Sequence, residues 1–401
     1  MLPLNGETFL FYTCFNTMRY WITACLFFFS VYVRASGSDS LHYAVERNMP
    51  VFYKEMKSQL TFPLARRNAG IKSFGRWKKK ARAMLENCLY NFSEEPDSFA
   101  FQITDSLQRE RFTAYKVEFN ISKWCRVPAY LLVPQGKGPF PALVALHDHG
   151  AHFSIGKEKV VRPFHVSNAV RDDADKWNIT CYDGQYPGDY FAAHGYVVLA
   201  VDALLWGERG NRAGPDYNVQ QALAGNFLQM GSSWASFIAM DDVRSVDFLA
   251  SLPFVDKKRV GCVGFSMGAY RSWMLSALSD KVKAAAAICW INTTNELMTL
   301  NNNQNRGGSA YAMLVPGLVR YMDYADVASL ACPKPALFFN GTRDKLFPVK
   351  GVEDAYHIMR NVWKEQGADD RLITKFWDEK HFYNIKMQRE TLQFFDKWLK
   401  R

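Results

Sequence analysis

Residues 264–268 of the 401-residue chain read Gly-Phe-Ser-Met-Gly. An apolar strand-like run at 259–263 leads into this pentapeptide, and a helical pattern starts at once with Ala269 and Tyr270. A serine on so sharp a strand-to-helix turn is held in strained geometry with its hydroxyl exposed, and glycines are needed on either side because a side chain there would strike the adjoining strand and helix. The helix behind Ser266 points its free N–H groups at the hydroxyl, so the N–H of Met267 can stabilise an oxyanion. That is the equipment for acyl transfer through a serine ester. Ser266 then needs a base to take its proton and an acid to orient the base, following in the order Ser, Asp, His. Asp344 follows the apolar run 336–340 in Gly-Thr-Arg-Asp-Lys-Leu-Phe-Pro, and His381 follows 372–376 in Trp-Asp-Glu-Lys-His-Phe. Asp378 is the rival acid, expected to face outward. A second oxyanion donor is expected in His147-Asp148-His149-Gly150-Ala151-His152, where Asp148 is the candidate backbone N–H. Two rival readings take His147, His149 and His152 as metal ligands or as a purely structural cluster. The fuller H-x-H-x-D-H pattern is missing, since Ala151 follows Gly150, and no cofactor is expected.

These residues need a scaffold that brings distant loops to one edge. Apolar runs at 141–146 and 196–201 carry no polar interruption, which implies strands covered on both faces. From about residue 110, strand patterns (111–119, 126–133, 259–263, 284–289, 336–339, 372–376) alternate with helical ones (236–251, 267–278, 352–366, 385–399). The expected fold class is α/β, a doubly wound and mainly parallel sheet with chemistry at the carboxyl ends of its strands. Residues 43–95 are expected to form an N-terminal helical extension, most periodic over 73–89, and 100–401 the catalytic domain. The long connections 151–195 and 291–332 suit the walls of a cleft.

Apolar residues make up 48% and charged residues 22%, excluding a disordered or collagen-like chain. The net charge of +10 selects no partner by itself. The one dense basic run, Lys78-Lys79-Lys80-Ala81-Arg82, reads as the solvated face of a helix. At the N-terminus, Arg19, an apolar stretch at 20–33 and Arg34-Ala35-Ser36-Gly37 follow the order of a signal peptide, with cleavage after Ala35. Met18 is the more usual start than Met1. The stretch is short of the roughly 20 residues that span a bilayer, so export is expected and stable membrane insertion is not. Lipidation at Cys25 is the lesser option. Of eight cysteines, only Cys88, Cys125, Cys181 and Cys332 are placed to pair, and no CxxC is present.

The GFSMG turn and the late Asp344 and His381 combine with Leu146-His147-Asp148-His149-Gly150, Gly156-Lys157-Glu158-Lys159, the run 202–210 (DALLWGERG) and Asp241-Asp242-Val243-Arg244. In these segments the chain resembles the α/β-hydrolases, specifically the dienelactone-hydrolase-like and acetyl-xylan-esterase-like branch among exported bacterial enzymes. The resemblance covers roughly residues 100–401 and implies Ser266 as nucleophile, His381 as general base and acid, and Asp344 as orienter, with oxyanion donors at Met267 and near Asp148. Dienelactone hydrolases proper carry cysteine where this chain has Ser266, so their lactone substrate does not transfer. The implied activity is removal of small acyl groups, acetyl above all, from carbohydrate. Trp177, Tyr182, Tyr186, Trp206, Trp234 and Trp290 are expected to stack on sugar rings, and His149, Trp206, Glu208 and Arg209 to bind substrate. A prolyl-oligopeptidase-type peptidase on small peptides is the alternative, as is the metal-dependent hydrolase built on the histidines. The expected partner is a small-molecule or glycan ester, not nucleic acid, and oligomeric state is left open.

Overall fold

The apolar runs pair into a nine-stranded sheet in the computed structural model of the chain, which describes residues 44–47, 49–90, 94–210, 217–300 and 311–400. The expected signal segment lies outside the described residues. The described residues fall into two compact units, divided after Gln59. The first holds strands β1 (Val45–Glu46) and β2 (Met49–Pro50) and helix α1 (Tyr53–Ser58). In the second, α2 (Phe74–Leu89), β3 (Gln102–Gln108), β4 (Phe112–Asn120), β5 (Arg126–Pro134), β6 (Phe140–Leu146), α3 (Asn168–Tyr182), α4 (Pro187–Ala193) and β7 (Val197–Val201) come first. They are followed by α5 (Tyr217–Gln229), α6 (Trp234–Ser251), β8 (Val255–Phe265), α7 (Met267–Leu278), β9 (Val282–Ile288), α8 (Thr294–Leu297) and α9 (Tyr324–Ala328). The chain closes with β10 (Ala336–Gly341), α10 (Val349–Glu365), β11 (Leu372–Trp377) and α11 (Ile385–Leu399).

The strand order is β11-β10-β9-β8-β6-β7-β5-β4-β3. Strands β6 to β11 run parallel, and β5, β4 and β3 add an antiparallel edge. Helices cover both faces, and β7 makes the reason plain. Its Val198 and Ala200 belong to the apolar cluster of Phe191 and Phe395, while Val197 and Leu199 belong to that of Val246 and Leu249. With both faces apolar, a strand can only sit between two layers. Strand β6 has β7 on one side and β8 on the other, so the winding reverses there and leaves a crevice at the carboxyl ends of β6 and β8.

The segment before the sheet departs from the helical expectation over 44–73. Pro50 lacks an N–H and favours extended geometry at the residue before it, and a β1–β2 hairpin forms with Arg47 at φ 56°. Helix α2 appears where the periodicity is strongest. The Ser73 side chain caps its start, accepting from Arg76 N–H, and left-handed Tyr90 ends it. Trp77, Ala81, Leu85 and Leu89, spaced by four, form its buried stripe and share a core with α6, α7 and α10. The basic run is more than a wetted face. Lys78 donates to the carbonyl of Cys332, and Arg82 makes a two-pronged pair with Asp280 at 2.9 Å. These two residues hold the helix to the body, while Lys79 and Lys80 face solvent.

Candidate active site

Strand β8 ends at Phe265 and α7 begins at Met267, leaving one residue for the turn. That residue, Ser266, adopts φ 55° and ψ −123°, a conformation that costs an L-residue free energy and persists only where the surroundings enforce it. The two flanking glycines make the turn possible. A Cβ on Gly264 would fall on the carbonyl of Gly268, and one on Gly268 on the carbonyl of Leu146. Leu146 pairs in register with Gly264, so the elbow and the loop after β6 abut backbone to backbone. The N–H of Met267 is the first of α7, and no turn of the helix uses it.

The loop after β10 brings in Asp344, and the loop after β11 brings in His381. Backbone hydrogen bonds join the two loops, from Thr342 N–H to Trp377 O at 2.8 Å and from Arg343 N–H to Glu379 O at 2.9 Å. The His381 Nδ1 lies 2.6 Å from Asp344 Oδ2, and the side chain of Asp344 is fully buried. The other carboxylate oxygen, Oδ1, accepts the Leu346 N–H at 2.9 Å. The His381 ring rests on Phe265, with centroids 4.7 Å apart. The residue next to the serine is therefore the one the imidazole packs against, and Ser266, Asp344 and His381 share one edge of the sheet. Asp378 faces solvent and pairs with Arg343 at 2.9 Å. Cys289, at φ 60°, sits behind the pair with its thiol toward the carbonyl of Phe382, and burial pushes that thiol up.

The histidines after β6 are committed to the protein. His147 accepts the Ala203 N–H at Nε2 (2.9 Å), so its Nδ1–H donates to Asp148 O at 2.8 Å. His149 takes the opposite tautomer: Nδ1 accepts from Ala151 N–H and Nε2–H donates to Gln220 Oε1, both at 3.1 Å. Burial lowers both, His147 well below the ordinary histidine range with Arg271 adding to the effect, and His149 to about 4, so both are neutral at working pH. His152 pairs with Asp173 at 2.6 Å. A metal would need the ring lone pairs that His147 and His149 spend on backbone N–H groups.

Several expected substrate contacts are structural. Trp206 has no exposed surface, stacks on Trp234 at 5.2 Å, and donates to the carbonyl of His149. Tyr182, Trp234 and Trp290 are each at most 1% exposed, and Tyr186 is buried as well. Aromatic side chains of this size gain most from burial, so these rings build the walls behind the cleft, and only Trp177 of the six is partly open. The Arg209 side chain is buried against Asp241 at 2.7 Å. Glu208 is exposed at its stem but reaches in to Lys157 at 2.5 Å.

Two lysines that the sequence reading took only as part of a matching segment, with no role of their own, are buried. Lys157 Nζ is caged by Glu158 and Asp202, each at 2.8 Å, and by Glu208. Burial opposes its charge, but the three carboxylates hold the ammonium well above its ordinary value. Lys159 Nζ donates to the carbonyls of His149 (2.7 Å) and Asp148 (3.3 Å) and lies 3.8 Å from the Asp148 carboxylate. That carboxylate also accepts Tyr182 O–H at 2.5 Å and Trp177 Nε1–H at 3.1 Å. The loop carrying the expected oxyanion donor is thus pinned through its carbonyls and its own side chain. The signal was the Lys157-Glu158-Lys159 run set between Phe153 and Ile155 on one side and Val160-Val161 on the other, where solvation is unavailable and partners are obligatory.

A nine-stranded, mainly parallel sheet with a serine elbow between β8 and α7 and an Asp–His pair on later loops defines the α/β-hydrolase class. The family model described as Abhydrolase family matches residues 30–386, and the chain belongs to that family. A curated relative, the candidate hydrolase YtaP of Bacillus subtilis (strain 168), is 27% identical over 275 residues, which cover 68% of this chain and 84% of the relative. Among solved structures, a candidate acetyl xylan esterase from Bacteroides fragilis NCTC 9343 superposes with TM-score 0.65 at 19% identity, covering 84% of each chain. The methylesterase BT1017 superposes with TM-score 0.60 at 17% identity, covering 85% of this chain and 68% of the other. Among the described residues, no helix is long and apolar enough to cross a membrane, and the six cysteines from Cys88 onward are all free.

Proposed function

We propose that the protein is a serine carboxylic ester hydrolase that removes small acyl groups, acetyl first among them, from carbohydrate. The observation that carries the reading is the short His381–Asp344 pair packed on the residue next to a strained serine. Ser266 Oγ attacks the ester carbonyl carbon while His381 Nε2 takes its proton. Asp344 holds Nδ1–H, fixing the tautomer and stabilising the imidazolium. The developing oxyanion is held by Met267 N–H and by a backbone N–H of the loop at Asp148. Collapse of the tetrahedral species expels the sugar alcohol with the proton from His381, and water then releases the acid by the same steps in reverse order. The carbohydrate half of the reading is supported by the acetyl xylan esterase and methylesterase names of the structural relatives. The test has two parts. A fluorophosphonate probe labels the protein and fails to label Ser266→Ala, and acetate is released from acetylated polysaccharide. Cleavage of aminoacyl amides with no acetyl ester turned over refutes the assignment.

Export belongs to the same proposal and rests on the sequence pattern at 19–37. Mass spectrometry of the mature protein is expected to find a terminus at Ser36, and an intact Met1 or Met18 terminus refutes it.

A further inference from the structure

A cavity of about 340 Å³ opens between α5, α8 and the chain around residues 311–324. Its volume lies in the range of small-molecule sites, far above what a two-carbon acyl group fills. Leu297, Val315, Leu318 and the rings of Trp234 and Tyr324 line it, and Leu228 stands at its exposed rim.

Two walls tie this space to the catalytic edge. On α5, Gln220, Ala224 and Leu228 recur every four residues and so share one helix face. Gln220 bonds His149 of the oxyanion loop, while Ala224 and Leu228 line the cavity one and two turns further along. Trp234 repeats the link, since it stacks on Trp206, whose ring lies 5.1 Å from that of His149. From the opposite side, Tyr324 packs on Trp290 (5.1 Å), Trp290 on Phe347 (5.3 Å) and Phe347 on His381 (5.9 Å). One wall therefore ends at the oxyanion loop and the other at the base. The Gln220 amide NH₂ is buried and has no acceptor among the described residues, and the residue does not itself line the cavity.

The geometry points to this cavity as an acyl pocket that accepts an aryl acyl group, so that the same serine hydrolyses aryl esters of sugars as well as acetyl esters. The inference rests on the ester-hydrolase reading above and extends its substrate class. The sugar itself is the wrong occupant, because its many hydroxyls would lose water to walls that are mostly apolar and return few hydrogen bonds. An aromatic acyl group brings no such loss and can lie against Tyr311 and Tyr324 in the edge or offset contacts that aromatic pairs prefer. No new step is needed. The aryl carboxylate becomes the Ser266 acyl group, the sugar leaves as the alcohol, and water returns the aryl acid.

The test keeps the alcohol constant and varies the acyl group, measuring acid release from glucose carrying a single acetyl, octanoyl or cinnamoyl ester. The expected result is a kcat/KM for the cinnamoyl ester at least equal to that for the acetyl ester and above that for the octanoyl ester. Val315→Phe, which fills the pocket, and Leu228→Trp, which narrows its exposed mouth, each lower the cinnamoyl-to-acetyl ratio of kcat/KM tenfold or more. A ratio is read because a general folding defect lowers both rates together. A cinnamoyl ester more than tenfold slower than the acetyl ester, preference for octanoyl over cinnamoyl, or unchanged ratios in both variants overturns the aryl pocket while leaving the esterase reading intact. No hydrolysis of any of the three esters, with no fluorophosphonate label on Ser266, overturns both.

Discussion

Replacing Asp344 by asparagine keeps the shape of the site and removes one charge, and the hydrogen bonds around it dictate the consequence. Asp344 Oδ1 accepts the Leu346 N–H, while Oδ2 faces His381 Nδ1 at 2.6 Å. In Asp344→Asn the amide oxygen is expected to stay at the Oδ1 position, because the Leu346 N–H donates to no other acceptor among the described residues. The NH₂ group is then turned toward Nδ1. It can only donate there, so Nδ1 becomes the acceptor and the ring proton moves to Nε2, the nitrogen that must be free to take the Ser266 proton. The imidazolium also loses its counter-charge in a pocket where the carboxylate is fully buried. Loss of tautomer and charge together is worth about 10³- to 10⁴-fold in kcat, or about 4 to 5.5 kcal/mol of barrier. Steady-state hydrolysis of an acetyl ester measures this. Asp378→Asn is the control, since that carboxylate lies in solvent against Arg343, and its activity is expected within twofold of the parent. An Asp344→Asn enzyme within tenfold of the parent refutes the reasoning, and a collapse in Asp378→Asn with Asp344→Asn active transfers the orienting role to the rival acid.

Three further outcomes are expected. Gly268→Ala puts a Cβ onto the Leu146 carbonyl, so backbone must move at the elbow; activity falls at least 100-fold, and a thermal melt shows a lower Tm. Lys159→Met removes two buried hydrogen bonds and the only cation within 4 Å of the Asp148 carboxylate among the described residues. Breaking such a pair costs about 3 to 5 kcal/mol, measured by urea unfolding, and kcat drops while KM changes little, because the oxyanion donor acts in the transition state. Burial, with Lys78 adding to it, pulls the Lys334 ammonium down to about 7 against an ordinary value of about 10.4. Between these pH values the unfolded chain binds a proton that the folded chain lacks, so stability rises as pH climbs from about 7 toward 10, by up to about 1.4 kcal/mol per unit. In Lys334→Met that slope in urea midpoint against pH is expected to flatten, and an unchanged slope refutes the assignment.

Sheet and candidate triad were legible for one reason: each announces itself over a short window. A buried parallel strand such as β7 is an uninterrupted apolar run, and the Gly-x-Ser-x-Gly turn is a local steric necessity. The expected acid follows such a run, and the expected base follows a strand pattern interrupted only by Thr374 and Lys375, so Asp344 and His381 could be placed at loop ends without tertiary information. What stayed hidden depends on partners far apart in the chain. Nothing near Trp206 says that Trp234 will stack on it, so a tryptophan in a cleft loop reads equally well as a sugar platform. Arg209 reads as a surface charge until Asp241 is brought beside it. The same holds for Lys78 and Arg82, whose helix looks wetted in isolation because their receptors, Cys332 O and Asp280, are some 200 residues or more away. The hairpin in place of helix near residue 45 is a smaller lapse, for Pro50 stood in plain sight.

Helix α2 has a practical bearing on how relatives of this enzyme are cut and recombined. Its tryptophan is sunk in the same interior as the helix that follows the serine elbow, and its indole N–H is spent on the carbonyl of Leu64. A gene trimmed to begin at the first strand of the large sheet would therefore leave a tryptophan-sized hole beside the catalytic scaffold and strand Asp280 without its arginine. Directed-evolution libraries and chimaeras that treat the region ahead of β3 as dispensable packaging would be removing part of the hull.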